Sequence, residues 1–275
     1  MSVVEALALG IVQGLTEFLP ISSSAHLRVV PALLGWKDPG VAYSAVIQLG
    51  SVLAVLSYFW KDLIGILFGS FKAVSARQWT NRDLRLLAAI CVGTVPICVF
   101  GLLLKSLLEQ PHGPFRSLTL IGVASIVMGF LLLLAERAGK RTRCLDDITP
   151  KEGFIVGLGQ TLALIPGCSR SGSTLTFALF LDLKRDEAAR FSFLLGIPAI
   201  ALSGLLELAD LYRQGIGSAG VTDLTVGLFS SAVVSYLAIA WLIKYLSNHS
   251  TSIFVVYRLV FGATIVVMSW QSWIR

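Results

Sequence analysis

A chain of 275 residues that is 55% hydrophobic and only 14% charged lies outside the range of soluble domains, where about a quarter of residues carry charge. With a mean hydropathy of +0.80 and several apolar runs of membrane-spanning length, it excludes a water-soluble fold and predicts an integral membrane protein. The net charge of +6 would suggest nucleic acid in a soluble protein, but the basic residues cluster in connecting segments, which fits membrane orientation and no nucleic-acid partner.

Residues 2–36 form the first element, an apolar segment broken by Pro20 and the triplet Ser22–Ser24. Spans follow at about 43–60, 84–108 and 118–135, then a basic connection at 136–152. A second broken segment, 153–182, is interrupted by Pro166 and by Ser169–Gly172, and three further spans are expected at about 191–208, 223–243 and 253–273. Bare backbone cannot face lipid, so each break must be buried in protein or line a wet cavity. The expected fold is all-α: one polytopic membrane domain over 1–275, with six transmembrane helices and two re-entrant helical hairpins.

Loop charge sets the orientation. The 61–85 connection carries Lys61, Lys72, Arg77, Arg82 and Arg85, and the 136–152 connection carries Arg137, Lys140, Arg141, Arg143 and Lys151. The 109–117 and 209–222 loops have only Arg116 and Arg213. The first pair is expected in the cytoplasm and the second pair outside, which puts both termini outside. Cleavage of a leader is not expected, because the N-terminus lacks a basic region and carries Glu5 and Glu17. Cys91, Cys98, Cys144 and Cys168 form no CxxC pair and, with His26, His112 and His249 scattered, no zinc pattern.

The broken segments match each other. Glu5, Gly10, Gln13 and Leu15 align with Glu152, Gly157, Gln160 and Leu162; after a one-residue slip, Pro20 and Ser23 align with Pro166 and Ser169. Each half reads as a hairpin followed by three spans, an odd number, so repeats over about 1–135 and 153–275 are expected to be inverted, joined by the cytoplasmic loop 136–152. Broken helices in such repeats bring half-helix ends together near the midplane, a seat for an anion. Gly10xxxGly14 and Gly153xxxGly157 suit close helix packing.

One charge, Arg170, lies in the core of the second hairpin within "PGCSRSGST". An arginine at that depth is costly and marks function. Ser169, Ser171, Ser173 and Thr174 surround it, and Gly167 and Gly172 free the backbone to turn, a combination that describes a phosphate cradle. In the first hairpin Gln13 and Glu17 share a helix face, as do Ser22 and His26, while Ser23 and His26 are three apart. His26 supplies acid/base capacity near neutral pH. A serine can act as nucleophile, and Glu17 can hold a divalent ion.

"QGLTEFLPISSSAH" with "PGCSRSGST" resembles the paired motifs of the undecaprenyl-pyrophosphate phosphatase family of the bacitracin-resistance type. The resemblance extends to "VIQLGSVLAV", "FSFLLGIP" and "VYRLV", and so to nearly the whole chain. Relatives carry Glu or Gln where this chain has Gln13, and often Thr-Gly where it has Ser24-Ala25. The resemblance implies a bacterial inner-membrane hydrolase with its site facing outward. It would remove the terminal phosphate of C55-isoprenyl pyrophosphate, recycling the carrier for cell-wall synthesis and giving bacitracin resistance. Arg170, with Ser169 and Ser171, is then expected to clamp the pyrophosphate. Glu17, assisted by Gln13, would bind Mg²⁺ or Ca²⁺ or act as base. His26 would be the acid/base or the nucleophile, with Ser23 or an activated water as the other nucleophile candidates. Ser22, Thr174 and Arg258 complete the expected substrate-binding set. The partners implied are the lipid substrate and membrane lipids; a homodimer is compatible. Inverted repeats also suit a secondary transporter or a lipid-phosphate flippase, and that alternative stays open in the sequence.

Overall fold

The structure is a computed structural model and describes residues 1–37, 40–108, 117–214 and 220–271. The expected external loop with His112 and Arg116, and the tip of the one at 209–222, fall outside these residues. The described residues form α-helices α1 to α11, two short 3₁₀ turns and an isolated bridge between Arg143 and Leu183.

The first broken segment is α1 (Val3–Phe18) followed by α2 (Ser23–Leu34); the second is α7 (Pro150–Gln160), a 3₁₀ turn at Thr161–Leu164, and α8 (Arg170–Phe180). The aligned glutamates Glu5 and Glu152 have one local cause. Ser2 caps α1 and Thr149 caps α7, and each accepts the N–H of a glutamate three residues on, whose carboxylate returns to the cap's own N–H. These two capping boxes start both hairpins in the same way. The glycine pairs also act alike. A Cβ on Gly10 would lie 2.5 Å from the Gly227 carbonyl of α10 (Val221–Asn248), and one on Gly157 would lie 2.1 Å from the Gly93 carbonyl of α5 (Arg82–Leu108). Thus α1 packs backbone-close on α10, and α7 on α5.

Among the described residues, five helices are long and apolar enough to cross a membrane: α5, α6 (Leu118–Ala138), α9 (Arg185–Gln214), α10 and α11 (Ser252–Trp270). The sixth expected span, 43–60, is α3 (Gly40–Tyr58), which joins α4 (Trp60–Ser75) through a bend of 64°. A helix of 19 residues is about 28 Å long and can span by itself. The expected 61–85 loop is therefore corrected: most of it is helix. Trp60, Leu67, Phe68, Phe71 and Val74 recur at helical spacing and remain exposed, while Ile66, Ser70 and Ala73 are buried. Such a helix has an apolar face for lipid beside flanking lysines, Lys61 and Lys72. A second correction concerns α9, which begins six residues before the expected 191 and runs into the expected 209–222 loop.

The helices enclose a core in which Phe18, Phe59 and Phe193 are buried and meet edge to face. This aromatic floor fixes the end of α1, and with it the carboxylate next in sequence.

Candidate active site

Both hairpins break in the same backbone conformation. Ser22 precedes α2 with φ of 77°, and Ser169 precedes α8 with φ of 68°. Side chains other than glycine rarely occupy this region, and holding one there costs about 1–3 kcal/mol, a strain found most often at functional sites. The geometry also corrects the register. The serines just before the two helices are Ser22 and Ser169, not Ser23 and Ser169, because the second turn holds one more residue between its proline and its helix.

Glu17, at the end of α1, is the hub. Its Oε2 accepts from the Gln13 amide at 3.1 Å and from the Ser23 hydroxyl at 2.7 Å; its Oε1 lies 3.5 Å from Arg170 Nη2. The helical repeat places Gln13 above Glu17, and Ser51 of α3 holds the amide from behind at 3.4 Å. Arg170 is engaged loosely. Its Nη1 reaches the Ser192 carbonyl at 3.5 Å, at the limit of hydrogen bonding, and its buried Nε has no protein partner. The guanidinium fits only because residue 196 on α9 is glycine: a Cβ there would fall 1.7 Å from Nη1. Four expected residues, Gln13, Glu17, Ser23 and Arg170, therefore meet directly.

His26 stands one turn along α2 from Ser23 and is clamped separately. Its Nδ1 lies 2.7 Å from the Ser22 carbonyl and its Nε2 lies 2.6 Å from the Tyr257 hydroxyl. The ring of Phe261 stacks on the imidazole at 4.2 Å. Thus Ser22 serves the site through its carbonyl, while its hydroxyl pairs with Ser24.

The remaining expected contacts are supporting. Ser169 Oγ caps α8 by accepting the Gly172 N–H. Ser171 donates to the carbonyls of Glu17 and Leu19, lacing the second hairpin to the first. Thr174 is fully buried and joins α8 to Ser192. Arg258, also in the expected substrate-binding set, is buried among backbone carbonyls. Its Nε donates to the Ser125 carbonyl, Nη1 to that of Pro20, and Nη2 to those of Gly167 and Cys168. Four of its five N–H groups go to buried carbonyls, so it fastens the turns of both hairpins to α6. The sequence reading missed Tyr257, Gly196 and Ser51, each of which touches the site from a helix distant in sequence.

A hydroxyl donating to a carboxylate can serve as a nucleophile beside a base, and an under-engaged guanidinium on the same carboxylate can bind an anion. Such a site suits attack on phosphorus. The family model for the bacitracin resistance protein BacA matches residues 6–264. The chain is 58% identical over 266 residues to an undecaprenyl-diphosphatase of Gloeobacter violaceus, covering 97% of this chain and 91% of that protein. It is 54% identical over 267 residues to one of Trichormus variabilis, with 97% and 83% covered. A third, of Synechocystis sp., is 56% identical over 263 residues, with 95% and 81% covered.

Proposed function

The chain belongs to the bacitracin resistance protein BacA family, and we infer that it hydrolyses undecaprenyl diphosphate to undecaprenyl phosphate and inorganic phosphate. The observation that carries the chemistry is the 2.7 Å contact of Ser23 with Glu17, whose other oxygen faces Arg170. Ser23 attacks the terminal phosphorus as Glu17 takes its proton, and the bond to the lipid phosphate breaks. Water then hydrolyses the phosphoserine, with His26 as the acid/base of that step. Arg170 holds non-bridging oxygens throughout, where preorganised donors stabilise developing charge most.

Among the described residues no cluster of three acidic, histidine or cysteine side chains could hold a metal. A Mg²⁺ or Ca²⁺ ion would be held by the Glu17 carboxylate, with its other ligands from pyrophosphate and water, while Gln13 presents its N–H to that carboxylate. Bound there, the ion would neutralise phosphate charge.

The same proposal makes each broken segment a re-entrant hairpin and the two halves inverted repeats, with the site open to the external side. Its support is the matched capping boxes, the matched glycine packing, the paired left-handed serines and the opposed loop charges. With Cys144 kept as the sole cysteine, an impermeant thiol reagent should label the protein only after cells are permeabilised. Labelling in intact cells would reverse the orientation.

Catalysis itself is tested with pure protein in detergent, where transport across a sealed membrane is impossible. Phosphate should be released from C15 and C55 pyrophosphates, and Glu17→Ala and His26→Ala should each abolish most of it while remaining folded. Wild-type turnover by Glu17→Ala would refute the nucleophile-base assignment.

A further inference from the structure

The His26 hydrogen bonds determine more than its place. A carbonyl oxygen only accepts, so the contact with Ser22 requires the proton on Nδ1. The lone pair of the neutral ring is then on Nε2, and the group facing it is the Tyr257 hydroxyl at 2.6 Å, which must donate. The imidazole has no second free nitrogen, and Phe261 covers one face of its ring at 4.2 Å. His26 is 6% exposed, whereas Tyr257 is 41% exposed. With Nδ1 held by the Ser22 carbonyl and Nε2 facing the Tyr257 hydroxyl, a proton moving between the reacting phosphate and Nε2 meets the tyrosine oxygen first. Tyr257 is itself placed with unusual firmness, since the next residue, Arg258, is tied to the turns of both hairpins.

We propose that Tyr257 is a further catalytic residue acting with His26: its hydroxyl fixes the imidazole tautomer and relays the proton that His26 exchanges during hydrolysis. In the relay, the attacking water gives a proton to the tyrosine oxygen as the tyrosine gives its own to Nε2. The water oxygen forms its bond to phosphorus, the Ser23–phosphorus bond breaks, and tyrosine ends unchanged beside an imidazolium. The departing group then recovers the proton by the reverse path. This inference rests on the acid/base role assigned to His26.

The test uses full-length Tyr257→Phe, which keeps the ring, its stacking and the lipid-facing surface. Turnover is expected to fall about ten- to a hundredfold, the lower part of the general acid–base range, with KM within about threefold. In a His26→Ala background, Tyr257→Phe should cost nothing further, because residues acting through one another are not additive. The chain has only three histidines, so ¹⁵N-histidine spectra in detergent provide a readout independent of turnover. The His26 Nε2 signal should move from a hydrogen-bonded toward a free imidazole value in Tyr257→Phe, with Nδ1 little changed. Wild-type turnover by Tyr257→Phe would overturn the proposal, and so would equal losses in both backgrounds or an unmoved Nε2 signal. Near-normal turnover by His26→Ala alone would instead remove the acid/base role on which it rests.

Discussion

Arg170→Lys is expected to lose at least a hundredfold in turnover while keeping its expression and thermal stability. If the arginine merely balanced Glu17, lysine would preserve the charge and most of the activity. The geometry argues against a mere counter-ion. The pair is 3.5 Å apart, and Nε has no protein partner although it is buried. A guanidinium held this loosely retains a planar fork for two phosphate oxygens, which an ammonium cannot reproduce. Losing one preorganised donor to transition-state charge typically costs about 3–4 kcal/mol, or 10²–10³ in kcat. Gly196→Ala supplies the complementary arm: the arginine is retained but displaced, since the new methyl would meet Nη1 at 1.7 Å, and turnover should fall comparably. Phosphate-release assays on both variants decide the point. Turnover of Arg170→Lys within about tenfold of wild type would reduce the arginine to a buried counter-ion.

The two helix breaks were legible in the sequence because prolines, serines and a lone arginine interrupt apolar runs where lipid tolerates no open backbone. Glu17 and His26 stood out for the same reason. Tyr257 gave no such signal, since a tyrosine in an apolar span reads as an interfacial aromatic until the fold brings α11 against α2. Helix α4 was hidden differently. The stripe of Trp60, Leu67, Phe68, Phe71 and Val74 has a helical period, but five basic residues between 61 and 85 made the segment read as a loop. The repeat register failed by one residue because local identity cannot locate an extra residue in a turn, and only the φ values of Ser22 and Ser169 pair them. An arginine inside an apolar span signals that Arg258 needs a partner, but not of what kind.

That partner set makes Arg258→Met the variant with the largest expected loss of stability. Arg258 is 1% exposed and donates to carbonyls of Ser125, Pro20, Gly167 and Cys168, at 3.2, 2.9, 2.8 and 3.0 Å. Methionine fills much of the volume and leaves the turn carbonyls of Pro20, Gly167 and Cys168 without this donor where water does not reach. An unsatisfied buried acceptor costs about 1–3 kcal/mol. With about 4 kcal/mol as the total for the three turn carbonyls, thermal unfolding in detergent should fall by about 10 °C. Activity should fall further than stability explains, because Pro20 and Gly167 lie on the turns that present Ser23 and Arg170 to each other. A misplacement of about 1 Å in such a constellation costs on the order of 10² in rate. Arg258→Lys, which can satisfy some of the four oxygens, should fall between wild type and methionine in both measurements. Unfolding of Arg258→Met within about 2 °C of wild type, with turnover intact, would show that the hairpins hold their register without the arginine. The ties left would then be the Ser171 hydrogen bonds to Glu17 and Leu19 and the Glu17–Arg170 pair.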